Sequence, residues 1–105
     1  MKDFVRATIN TELTQREIYD LVSQALPEFF WREGDSDAQG LYITGNKEDF
    51  GQIQIWFDEG AVDVTISLRA ARTSGLNEAL KEEFFSNVIS NVLPIIGEVQ
   101  KVIST

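Results

Sequence analysis

Between Gln52 and Ala70 the chain reads QIQIWFD, then Glu59-Gly60, then AVDVTISLRA, and both arms alternate apolar with polar residues. That period of two belongs to a strand with one buried face, because successive side chains of a strand point to opposite sides. The two-residue link predicts a hairpin. Turn length and pattern must then agree, and they do. Pairing Asp58 with Ala61 sets Phe57 against Val62, Ile55 against Val64 and Ile53 against Ile66, all apolar. A slip of one residue would turn one arm's apolar set toward water, so this register constrains the fold more than any other feature.

The remaining elements arrange themselves around this hairpin. Phe4 to Asn10 alternates Val5, Ala7 and Ile9 with Arg6, Thr8 and Asn10, and reads as the first strand. Thr14-Gln15-Arg16-Glu17 is a capping-box pattern. Ile18, Leu21, Val22, Ala25 and Leu26 follow at helical spacing, so a helix is expected from Thr14 to Ala25, stopped by Pro27. The aromatic run Glu28 to Gly34 reads as strand two, Asp35 to Gly40 as a turn, and Leu41 to Asn46 as strand three. A loop from Lys47 to Gly51 leads into the hairpin. After Arg72-Thr73-Ser74-Gly75 a long helix is expected, with Leu80, Phe84, Val88 and Val92 on one stripe and Phe85, Ile89 and Ile96 beside it. Pro94 and Gly97 predict a kink or break, with Glu98 to Ile103 a short helical continuation or second piece. The apolar stretch from Leu93 to Ile103 would complete the cover of the sheet, or else form a dimer contact.

The resulting order is β-α-β-β-β-β-α. Its expected architecture is a two-layer α+β sandwich, with a mainly antiparallel sheet and both helices packed on one face. Strand one, separated from strand two by a helix, could pair in parallel or lie at an edge. At 105 residues, with 43% hydrophobic and 25% charged side chains, residues 1–105 are expected to form a single domain around one core.

Composition removes whole classes of chemistry. The chain has no histidine and no cysteine. Imidazole bases, Ser-His and Cys-His pairs, His-ligated metals, structural zinc, iron–sulfur clusters and disulfides are therefore excluded. The phosphate-binding patterns GxGxxG and GxxxxGK[ST] do not occur. Nine basic against seventeen acidic residues give a formal charge of −8, which argues against nucleic acid, since Lys and Arg supply most of such affinity. A basic protein partner is favoured by complementary potential, set against the simpler reading that the charge only keeps the chain soluble. The first thirty residues carry charges throughout, and no apolar run is long enough to span a bilayer. A soluble, cytoplasmic protein without membrane association is expected.

The polar side of the sheet carries the candidate site. With the register above, strand four presents Gln52, Gln54, Trp56 and Asp58, and strand five presents Asp63, Thr65, Ser67 and Arg69. If the Lys47–Gly51 loop sets the next register, Tyr42 lies opposite Trp56 and Thr44 opposite Gln54. Two large aromatics then sit side by side on an uncovered polar face. Trp, Tyr and Arg are enriched at binding hot spots, so Tyr42, Thr44, Gln54, Trp56, Asp58, Asp63, Thr65 and Arg69 form the candidate partner-binding set. The competing reading is a cross-strand aromatic pair that only stiffens the sheet. Alternation sends Phe29 and Trp31 one way and Phe30 and Arg32 the other, so one of these pairs faces the core.

Other chemistries find less support. Asp35-Ser36-Asp37 with Gly40 matches part of a calcium loop, but the twelfth position is Asn46 rather than Glu and the flanks read as strands, so a turn is expected. Asp58 with Asp63, or Glu48 with Asp49, could pair carboxylates, yet nothing in the sequence supplies the cleft such catalysis needs. No enzyme, cofactor or metal is expected.

In size, acidity and small α+β design the chain is similar to bacterial immunity proteins that occlude toxins, and more loosely to acidic type III secretion chaperones. The resemblance carries over no individual residue. It implies a non-enzymatic, acidic protein-binding module, an immunity or antitoxin type of inhibitor of a basic partner. The alternative is a small-molecule-binding or regulatory domain, homodimeric through helix two or the open sheet.

Overall fold

The computed structural model describes residues 4–68 and 78–104. Six strands form one antiparallel sheet in the order β2-β3-β4-β5-β1-β6. They are β1 (Phe4–Asn10), β2 (Phe30–Ser36), β3 (Gly40–Lys47), β4 (Gly51–Asp58), β5 (Ala61–Leu68) and β6 (Glu98–Ser104). The β4–β5 hairpin has the register read from its alternation: Asp58 pairs with Ala61, Phe57 with Val62, Ile55 with Val64 and Ile53 with Ile66. Its turn is Glu59-Gly60, where Gly60 takes φ +67°. The β3–β4 register also follows the sequence, with Tyr42 opposite Trp56 and Thr44 opposite Gln54.

Helix α1 (Gln15–Ala25) starts on the capping box. The Glu17 N–H donates to Thr14 Oγ1 at 3.2 Å and the Thr14 N–H donates to Glu17 Oε1 at 2.9 Å. Such caps stabilise by about 1 kcal/mol. Ile18 and Val22 face the sheet and are buried. The outer side of α1 is tied to β2 by Arg16, whose guanidinium donates to Glu33 at 2.6 Å and lies 3.6 Å from Asp20. The hydrogen bond to Glu33, with the charge of Asp20 behind it, raises the Arg16 pKa above its ordinary value. Side-chain donors from α1 also reach strand carbonyls: Gln15 Nε2 donates to Gly34 and Tyr42, and Tyr19 Oη to Trp31.

The second helical segment runs as α2 (Glu78–Asn87), a π-helical turn (Val88–Val92) and α3 (Leu93–Ile96). In the π turn the Leu93 N–H donates to the Val88 carbonyl, five residues back. The irregularity foreseen at Pro94 therefore takes the form of a widened turn just before the proline, where the normal helical bond would crowd its ring. The buried stripe is rotated from the one expected. Phe85, Val88, Val92, Leu93 and Ile96 are buried, whereas Leu80 is exposed. The segment ends where Thr11 Oγ1 donates to the Ile96 carbonyl at 2.7 Å.

Both helical segments cover one face, and their apolar side chains form one cluster with Val5, Ala7, Ile9, Ile43, Ile53, Ile55, Val62, Val64 and Ile66 from the strands. The α+β sandwich is as expected, but the chain's end is not. Glu98 to Ile103 is neither a helical continuation nor part of the sheet's cover; it is β6, an edge strand paired with β1. Consequently β1 is neither parallel nor at an edge. It lies inside the sheet, antiparallel to both β5 and β6, because its apolar set pairs with Val62, Val64 and Ile66. Strand β2 begins two residues later than expected and ends at Ser36. Among the described residues no helix is long and apolar enough to cross a membrane.

The β2–β3 hairpin contains two close approaches of an aromatic ring to a glycine. On the covered face Trp31 lies over its partner Gly45, where an added Cβ would stand 2.6 to 2.8 Å from ring atoms. The Trp31 indole N–H donates to the Leu26 carbonyl at 2.9 Å, so this ring is both packed and anchored. On the opposite face Tyr42 lies over its partner Gly34 in the same way.

Candidate functional site

The face away from the helices is a regular grid, because the registers align the outward-facing residues of neighbouring strands. One row runs Gly34, Tyr42, Trp56, Asp63, Thr8, Lys101. The next runs Arg32, Thr44, Gln54, Thr65, Arg6, Ile103, and a third runs Phe30, Asn46, Gln52, Ser67, Phe4. Thus Tyr42, Thr44, Gln54, Trp56, Asp63 and Thr65 are brought together as the alternation requires. Asp58 stands apart at the mouth of the β4–β5 turn, where it accepts from the Glu59 N–H at 2.8 Å. Arg69 lies outside the described residues, as do Ala70 and the Arg72–Gly75 loop.

Tyr42 and Trp56 are in contact, with ring centroids 5.1 Å apart and planes tilted by 39°. Both rings are half-buried, and no helix covers them. Beside Trp56 a shallow cavity of about 310 Å³ is lined by Phe4, Arg6, Gln39, Trp56, Asp63 and Thr65. Its size falls at the lower end for a site that grips a side chain or small group. Three of its six residues were not in the sequence-derived set. Phe4 and Arg6 were missed because the place of β1 was undetermined; their polar face was legible, their neighbour was not. Gln39 comes from the β2–β3 turn, and no sequence pattern directs it toward Trp56.

The electrostatics differ from the simple expectation of an acidic patch. Asp63 accepts from Thr8 Oγ1 at 3.0 Å and from Arg6 at 3.5 Å, so its charge is already engaged. With Arg6 and Asp63 side chains 55% and 40% exposed, the pair is solvent-screened and contributes little to stability. A further row, Asp58, Ala61, Asn10 and Glu98, closes the face at the β4–β5 turn, and with it Arg6, Arg32 and Lys101 are matched by Asp58, Asp63 and Glu98 among the described residues. The described part of the face is neutral, and the other described carboxylates lie on the helices, the loops and the opposite side of β2.

The middle of the grid is uncharged. Among the described residues, the side chains of Thr44, Asn46, Gln52, Gln54, Thr65 and Ser67 make no hydrogen bond to another protein group. They present donors and acceptors to whatever lies on the sheet. The aromatic run is also resolved. Phe29 and Trp31 are buried, while Phe30 is 69% exposed on the open face, at the far end from Tyr42. Asp35 and Ser36 end β2 and Gly40 begins β3, so the partial calcium pattern is the β2–β3 turn. Among the described residues no group of three acidic side chains is placed to hold a metal ion.

Neither a known protein-family model nor any curated protein matches this chain.

Proposed function

We propose that the protein is a non-enzymatic binding module that docks a partner protein on its open sheet face. The observation that carries this reading is the Tyr42–Trp56 pair, half-buried, in contact at 5.1 Å and left uncovered beside a cavity that Trp56 itself lines. A desolvated aromatic centre ringed by polar groups that can hydrogen-bond is the anatomy of an interface hot spot. The charge of −8, borne largely away from this face, draws a basic partner by long-range steering, while the neutral face makes the short-range contact. Salt then slows association far more than it speeds dissociation. An inhibitor of the immunity or antitoxin type, acting in the cytoplasm, fits this division of labour.

Photo-crosslinking tests the proposal. A benzophenone amino acid at Gln54, in the centre of the face, is expected to trap a specific basic protein in cells, identified by mass spectrometry. The same group at Glu82, on the exposed side of α2, is expected to trap none, and Trp56→Ala is expected to abolish the Gln54 adduct. Equal yields from both positions, or no adduct from Gln54, refute docking on the open face.

A further inference from the structure

At the end of the open face remote from Trp56, a second cavity of about 330 Å³ is lined by Phe30, Asn46, Lys47, Glu48, Asp49, Gly51 and Gln52. Phe30 is the most exposed large apolar side chain among the described residues. A single exposed aromatic ring is ordinary at a protein surface; here the ring also forms one wall of a cavity. The residues beside it are ordered by register: Phe30 pairs with Asn46, and Asn46 with Gln52. An aromatic wall therefore adjoins two neighbouring side-chain amides whose hydrogen-bonding groups have no protein partner among the described residues. Carboxylates stand at the rim, on the β3–β4 turn, where Asp49 is held at φ +58°. Lys47 keeps its ammonium over the Phe50 ring, 4.6 Å from the centroid.

We propose that this cavity is a subsite for a neutral saccharide. A pyranose has an apolar C–H face, which packs on an aromatic ring, and vicinal hydroxyls that each donate and accept. Amides match that pattern because each offers both functions from one group, and carboxylates accept from adjacent hydroxyls. Phosphorylated or otherwise anionic ligands are opposed by Glu48 and Asp49. An aliphatic ligand would strand the amides without partners. Gln52 and Trp56 are four residues apart on β4, about 13 Å at the rise of an antiparallel strand, so the subsite does not depend on the Tyr42–Trp56 docking surface.

The test is titration of the ¹⁵N-labelled protein with three neutral probes, cellohexaose, maltohexaose and chitohexaose, observing side-chain and backbone amides. At least one probe is expected to shift the Asn46 and Gln52 side-chain NH₂ signals saturably below about 10 mM, the weak range of a shallow site. Phe30→Ala and Gln52→Ala, both at exposed or half-exposed positions, are expected to weaken binding about tenfold or more. Trp56→Ala should leave it unchanged, which separates this subsite from the docking surface. The absence of shifts with all three probes overturns the proposal, as do shifts that survive Phe30→Ala or that centre on Trp56. Shifts produced equally by an amine such as spermidine overturn it in favour of a cation site.

Discussion

Trp31 over Gly45 and Tyr42 over Gly34 are the same device built on opposite faces of one hairpin. In both, a ring fills the space that the partner's missing Cβ leaves, a contact known to favour strand pairing. Their surroundings separate them. Trp31 is buried against Phe29 with a ring separation of 5.8 Å, and its indole N–H is satisfied by the Leu26 carbonyl. Tyr42 is half-buried, and its other neighbour is Trp56, itself open to solvent on the uncovered face. The first ring is needed wherever the fold exists; the second has surface left over for something else. The lesson is that aromatic content alone does not separate core from site. The covering layer does, and here α1 and α2 cover one face only.

The two rings differ most in what their removal costs the fold. Trp31→Ala removes a buried ring and leaves the Leu26 carbonyl with only the Phe29 N–H at 3.3 Å, so urea unfolding is expected to show a loss of about 3 to 5 kcal/mol. A loss below about 1 kcal/mol would mean that the two rings are equivalent. Gly34→Ala forces Tyr42 off its seat by placing a methyl group inside the ring's position. A smaller loss, about 1 to 2 kcal/mol, is expected, with a changed tyrosine signal in near-ultraviolet circular dichroism. An unchanged spectrum would show that Tyr42 does not rest on Gly34.

How legible each region was depended on whether one residue step equals one change of face. In β4 and β5 it does throughout, so Ile53, Ile55, Val62, Val64 and Ile66 announced their face and Trp56 its opposite. In β6 it does not. Ile9 pairs with Val99 and Thr8 with Lys101, so Gln100 is an extra residue in a bulge. Val99 and Val102 therefore share a face although they are three apart, a spacing that imitates a helix following the helical pattern through Ile96. With β6 hidden, the interior position of β1 was hidden as well, and with it the place of Arg6 and Phe4 in the site. Six of the eight sequence-derived residues are brought together because they lie on the β3–β4–β5 meander, where short turns fix the neighbours.

The bulge supplies the gentlest prediction. Deleting Gln100 restores strict alternation while keeping Val99 and Val102 toward the helices and Lys101 and Ile103 away. Stability is expected to change by less than about 1 kcal/mol, measured by urea unfolding. Inserting one alanine after Lys101 instead turns Val102 to the open face and is expected to fray β6, seen as fast amide exchange from Val102 to Ser104. Equal effects of the deletion and the insertion would contradict this register.

Ile55 and Trp56 are adjacent in β4, on opposite faces, and they test the central claim most directly: that the open face is not required to hold the fold. The measurement is the urea unfolding free energy of Ile55→Ala and of Trp56→Ala beside the parent protein. A loss of about 2 to 5 kcal/mol is expected for Ile55→Ala and about 1 kcal/mol or less for Trp56→Ala. A Trp56→Ala loss that equals the Ile55→Ala loss would contradict it, because the aromatic pair would then be part of the core's stability rather than a surface kept for a partner.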